Sequence, residues 1–205
     1  MSAALMAMAR AERAELAEFL QTLSPQQWES ASLCAGWSVK HVVAHMISYE
    51  ELGAGGLVKR FARGRIRDAN QVGVDEYSAL TPQQLVAFLG DHLQPRGLTA
   101  GFGGMIALLD GTIHHQDIRR PLALPRRIPS DRLLRVLGLM PRNPRLGVPW
   151  RIRGLRLCAD DVDWAHGRGP EVVGTGEALL MAMAGRPAVL GELSGAGHAI
   201  LAARL

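Results

Sequence analysis

The chain has 205 residues, of which 48% are hydrophobic, 20% charged and 5% aromatic, with a net charge of +4. That length allows one large domain or one medium plus one small, and buries a core without disulfide staples. The composition excludes wholesale disorder, and no apolar run approaches the roughly 18–20 residues of a membrane span.

The apolar start at Met1–Arg10 runs straight into Glu12, Arg13 and Glu15, which argues against a secretory leader and for a cytoplasmic protein. Cys34 and Cys158 are far apart and lack a C-x-x-C partner. They read as two reduced thiols, not as a metal knuckle or a disulfide. Lys40 and Lys59 are the only lysines; the other basic residues are arginines. Eleven of these fall between Arg119 and Arg156 against one acid, Asp131, so the rest of the chain is net acidic. The stretch reads either as a solvated Arg-rich surface or as a positive rim for anions.

Ser2–Leu23 carries Leu5, Met8, Glu12, Leu16, Phe19 and Leu20 at three- and four-residue spacing, which predicts a long helix. Ser24-Pro25-Gln26-Gln27 and Thr81-Pro82-Gln83-Gln84 both read as helix starts, with a hydroxyl cap, Pro at the first position and Gln at the third. Ser38 caps a further helix, whose stripe of Val39, Val42, Val43, Met46 and Ile47 predicts a run to about Leu52, extendable through residues 57–61. The helix after Thr81 is stopped by Pro95. Gly64–Asp75 reads as a polar loop. Gly97–Arg119 supplies another long helix, broken by Pro121 and Pro125, and Ser130–Leu139 a short one.

Beyond the linker Pro141–Pro144 the pattern changes. Trp150–Cys158 and Val162–Ala165 read as strands, with Gly154 as a bulge, and Glu171–Val173 as a short third strand. Gly176–Gly185, Pro187–Leu193 and Gly197–Leu205 read as helices. The expected organisation is a helical domain over residues 1–142 and a small α+β domain over residues 148–205.

Two local patterns carry chemistry. His41 and His45 share a helix face, and His45 falls on the apolar stripe, with His41 nearer the polar edge. Asp110 and His114 are also one turn apart, and Asp117 lies three residues further on. A carboxylate and an imidazole so spaced on a bundle helix can hold a metal. A third ligand from a facing helix, for which His45 is the natural choice, would complete a site with an open position. The competing reading is a buried Asp–His hydrogen bond with His115 in solvent.

The same residues carry a resemblance. Gly36-Trp37-Ser38-Val39 with Val42-Val43-Ala44-His45, and His114-His115-Gln116-Asp117-Ile118-Arg119-Arg120-Pro121-Leu122, resemble the two motifs of the mycothiol-dependent maleylpyruvate isomerase-like family, within the DinB-like superfamily. Residues 160–190, with Val162-Asp163-Trp164 and Glu177-Ala178-Leu179-Leu180, are similar to its C-terminal region. The resemblance implies an antiparallel four-helix bundle with a small C-terminal α+β domain, and one divalent metal, usually zinc. The implied ligands are His45, His114 and, where the family usually has Glu, Asp110. Asp117 would orient a ligand or cap the helix end.

The resemblance also implies mycothiol as thiol cosubstrate. Its thiolate would add to a small anionic or electrophilic substrate, in isomerisation or S-transfer, with Arg119 and Arg120 pairing substrate carboxylates. The shorter Asp110 keeps open a second reading, a non-catalytic metal- or ligand-binding member. A third, nucleic-acid binding through Arg119–Arg156, is opposed by the low aromatic content and the lack of a reader motif.

Overall fold

The computed structural model describes residues 2–63 and 68–205. It divides into two compact units, Met1–Pro125 and Arg126–Leu205. This moves the boundary ahead of the Pro141–Val148 position expected from sequence. The physical reason is the helix Ser130–Leu139. Its Leu133 and Leu137 side chains lie close against Gly176, so the helix packs within the second unit.

The first unit holds seven helices among the described residues: α1 (Ser2–Gln21), α2 (Pro25–Glu29), α3 (Val39–Ile47), α4 (Ala54–Arg63), α5 (Asp68–Tyr77), α6 (Pro82–Asp91) and α7 (Gly101–Arg119). Helices α1, α6, α3 and α7 contact one another in a closed ring, which is the four-helix bundle. Leu16 and Leu20 of α1, Val39, Val42, Val43 and Ile47 of α3, Leu85 and Leu89 of α6 and Ile118 of α7 meet in its core. Each such side chain contributes about 1.5–3 kcal/mol through burial.

The three hydroxyl caps work as their spacing dictates. Ser24, Ser38 and Thr81 each accept from the backbone N–H three residues on, and the side chains of Gln27, His41 and Gln84 bond back to the caps. His41 is therefore a capping residue.

Three expectations differ in this unit. Helix α3 stops at Ile47, short of Leu52, because the Ser48 hydroxyl takes the His45 carbonyl at 2.9 Å and competes with the next helical turn. Beyond it, buried Glu50 pairs with Arg13 of α1 and accepts from Thr99 Oγ1 at 2.6 Å and from the Arg96 N–H at 3.0 Å. Part of the expected loop Gly64–Asp75 lies outside the described residues; the rest is helical, in α5. Helix α7 does not run evenly from Gly97. Residues 97–100 form a 3₁₀ turn, and Phe102, Gly103 and Gly104 have left-handed backbone. Two glycines make that reversal possible, and Gly104 also sits so close to Met6 that a Cβ would fall 2.9 Å from its Cα.

In the second unit α8 (Ser130–Leu139) and the helical turn α9 (Val148–Arg151) precede a three-stranded sheet, followed by α10 (Gly176–Met183) and α11 (His198–Ala202). Strand β1 (Arg156–Ala159) is central. It pairs antiparallel with β2 (Ala165–Gly167) and parallel with β3 (Glu171–Gly174). The expected strand Trp150–Cys158 is shorter. Pro149 opens a helical turn, whose Arg151 bonds the carbonyls of Leu146 and Met183. Gly154, at φ +70°, is a turn residue and not a bulge. Strand β2 starts at Ala165, later than Val162, because Asp161 is used to bond the Gly176 N–H that begins α10. Residues 187–192 form a 3₁₀ helix. Ala178–Met183 are all buried, as expected of a helix that is apolar all round.

Candidate metal centre

Helix α7 is buried almost all round from Gly111 to Ile118. Its polar side chains must therefore find partners inside the bundle. Asp110 and His114 share a face one turn apart, and α3 brings His45 against them. His114 Nε2 lies 3.5 Å and His45 Nε2 3.8 Å from Asp110 Oδ1, and the imidazoles meet edge to face with centroids 5.0 Å apart. The three donor atoms lie within 4.8 Å of one another.

Bonds of about 2.0–2.1 Å to a tetrahedral ion would space its ligands about 3.3–3.4 Å apart. The His114 distance to Asp110 is close to that spacing and the His45 distance is somewhat longer. Two imidazole nitrogens and a carboxylate oxygen suit a divalent ion of the zinc type. The Asp110 side chain is 33% exposed, which leaves the set open on one side.

Electrostatics bind the same three residues. Burial alone would raise the Asp110 pKa, but the His114 and His45 imidazoles hold it far below the usual carboxylate range. Burial alone would lower His114, yet the Asp110 charge and hydrogen bonds with Asp110, Asp117 and Cys34 hold it well above the usual imidazole value. Without a metal, the imidazole and the carboxylate each favour the charged form of the other.

The other face of His114 is also occupied. Asp117, fully buried, lies 2.8 Å from His114 Nδ1. A carboxylate there fixes which ring nitrogen faces Asp110. Cys34, read from sequence as an isolated thiol, sits beside them, with Sγ 3.2 Å from Asp117 Oδ2 and 3.6 Å from His114 Nδ1.

Two aromatic rings flank His45. Trp37 lies 5.1 Å and Tyr49 5.9 Å from its ring centroid. Both are held by α5: Trp37 Nε1 donates to Gln71 at 3.0 Å and Tyr49 Oη to Asn70 at 2.6 Å. Sequence reasoning missed this, because α5 has no apolar stripe to announce a helix.

His115 is not in solvent. It is fully buried, with Nδ1 2.8 Å from Glu12 and Nε2 accepting from Arg119 Nε at 2.8 Å. The Arg119 guanidinium also covers the Phe19 ring at 3.6 Å and bonds the Leu124 carbonyl. Arg119 is thus engaged in the bundle and not held out for a substrate carboxylate. Arg120 is half-buried at the helix end. The Arg119–Arg156 stretch spans both units, with only Arg119 and Arg120 in the first. The one signal for the His115 cluster was Glu12, a carboxylate on an otherwise apolar stripe.

The first unit is a four-helix bundle with a His/Asp/His donor set on facing helices, and a small α+β unit follows it in the chain. Residues 9–96 match the model of the mycothiol maleylpyruvate isomerase N-terminal domain, so the resemblance to that family is shown for this part of the chain. Two solved structures share its fold. A crystal structure of mycothiol-dependent maleylpyruvate isomerase with a histidine-to-alanine mutation superimposes with a TM-score of 0.62, and one titled without a mutation with 0.58. Each is 14% identical, over 97% of this chain and 94% of the other. No curated protein matches the chain. No helix among the described residues is long and apolar enough to cross a membrane.

Proposed function

We propose that the protein is a cytoplasmic, divalent-metal-dependent enzyme that uses a mycothiol-like thiol against an electrophilic small molecule, as an isomerase or an S-transferase. The observation that carries this reading is the convergence of His45 Nε2, Asp110 Oδ1 and His114 Nε2 within 4.8 Å, on the fold shared with mycothiol-dependent maleylpyruvate isomerase. Zinc is the metal we assign. Bound there, it would supply a Lewis acid that favours the thiolate form of a thiol at neutral pH.

The protein's own residues supply the rest. Asp117 holds His114 by Nδ1, so Nε2 is the nitrogen offered to the ion. Asp110 adds one negative charge to two neutral ligands, which leaves a net positive centre attractive to an anionic thiol or substrate. Trp37 and Tyr49 wall His45 with apolar surface, so charges at the centre are screened less than in water. Arg120 is the residue we assign to a substrate carboxylate.

The test is metal analysis of protein purified without chelator, followed by turnover of maleylpyruvate with mycothiol. Stoichiometric zinc in wild type, lost in both His45→Ala and His114→Ala, supports the site. Wild type without a stoichiometric divalent ion overturns it. Metal binding without turnover of maleylpyruvate or of other electrophiles would favour the non-catalytic reading.

A further inference from the structure

Helix α7 is short of one backbone bond near its end. The Asp117 carbonyl would accept from residue 121, but Pro121 has no N–H. The loop between α2 and α3 fills the position: Leu33 N–H donates to the Asp117 carbonyl at 3.0 Å. The next residue brings its Cys34 thiol to 3.2 Å from the Asp117 carboxylate. The loop is itself tied down. Ala31 and Ser38 form a β-bridge, Trp37 N–H donates to the Cys34 carbonyl at 2.9 Å, and Cys34 N–H donates to Ser32 Oγ at 3.1 Å. One short loop therefore holds both the main chain and the side chain of the residue that orients His114.

We propose that Cys34 is a positioning residue of the metal centre. Its thiol, with the Leu33 N–H, keeps the Asp117 carboxylate on His114 Nδ1, and so keeps His114 Nε2 turned toward Asp110 and His45. The inference rests on the metal reading of the His45, Asp110 and His114 cluster. Cys34, His114 and Asp117 also bring three donor atoms together. However, the 2.8 Å from His114 Nδ1 to Asp117 Oδ2 is a hydrogen bond, shorter than the roughly 3.3–3.4 Å between two ligands of one tetrahedral ion. The geometry makes Cys34 a hydrogen-bond donor to a carboxylate, not a ligand.

Cobalt(II) titration of wild type, Cys34→Ala and Cys34→Ser tests this, beside exchange rates of the His114 Nδ1 proton measured by NMR on the metal-free proteins. Wild type should take up one cobalt without sulfur-to-cobalt charge-transfer absorption. Cys34→Ala should bind about 10–100-fold more weakly and exchange the Nδ1 proton faster. Cys34→Ser, whose hydroxyl can donate the same bond, should recover most of both. Cobalt affinity and proton exchange unchanged in Cys34→Ala overturn the proposal. So does a charge-transfer band in wild type that is lost in Cys34→Ala, which would make Cys34 a ligand. Wild type that binds no cobalt overturns instead the metal reading beneath it, and the proton exchange then still reports whether Cys34 holds Asp117 on His114.

Discussion

His114 and His115 are neighbours in the chain and the same side chain, yet the fold gives them opposite work. They project about 100° apart around α7. His114 meets Asp110 and His45 on a side that is partly open, with Asp117 behind it. His115 is sealed between Glu12 and Arg119. Both imidazoles have a carboxylate on Nδ1. The difference lies at Nε2, where His114 meets a carboxylate and a second imidazole and His115 meets an arginine donor. A site needs an acceptor-rich, accessible nitrogen, whereas a strut needs every donor and acceptor satisfied.

The sharpest way to break this contrast is to damage the strut. Glu12→Ala leaves His115 and Arg119 without their buried anion and should cost about 3–5 kcal/mol, read by urea denaturation of the metal-free protein. Metal affinity of the folded fraction should hardly change. A comparable loss of metal affinity would mean that the two clusters are one.

Removing a proposed ligand should do the reverse. His114→Ala or His45→Ala should lower zinc affinity by more than about 100-fold, beyond what loss of an outer partner costs, as measured by competition with a chelating dye. His115→Gln should keep zinc and lose stability.

Acidity gives a finer test. A cation competes with protons for His114, whose pKa stands above its ordinary value of 6.5 because of Asp110. Apparent zinc affinity should therefore fall about tenfold per pH unit below that raised pKa, with proton release visible by calorimetry in two buffers. In the metal-free protein the signs differ. The His114 contribution to stability is complete below about pH 6.5 and is lost as pH rises through its raised folded value. The Asp110 contribution is present above its ordinary value of 3.8 and is lost as pH falls through its depressed one.

The smallest effects come last. Arg120→Ala should raise KM for an anionic substrate with kcat little changed. Asp110→Glu should alter zinc affinity by less than about threefold, well under the cost of losing an outer partner, since Asp110 already lies beside both histidines. A large gain from Asp110→Glu would favour the non-catalytic reading.

Much of the bundle was legible because its signals are local. Ser24, Ser38 and Thr81 announce helix starts by bonds that close within three residues. Asp110 and His114 declare a shared face by spacing alone. The strand region was less legible, because Pro149 and Gly154 cut the apparent run from Trp150 to Cys158 into a helical turn and a four-residue strand. Helix α5 was invisible as a helix, since its polar residues serve Trp37 and Tyr49 and not a core.

The sequence by itself determined where α3 and α6 begin and that Asp110 and His114 share one face of α7. Only the tertiary structure decided that Cys34 stands beside Asp117, that Glu12 belongs to His115, and that Arg119 is committed to the bundle. The reason is distance along the chain. Glu12 and His115 are 103 residues apart, and Cys34 and Asp117 are 83. Nothing in the spacing of one helix records which face of another it will meet. That choice is made by burial, which brings the apolar stripes together and leaves each polar side chain to the partner it finds there.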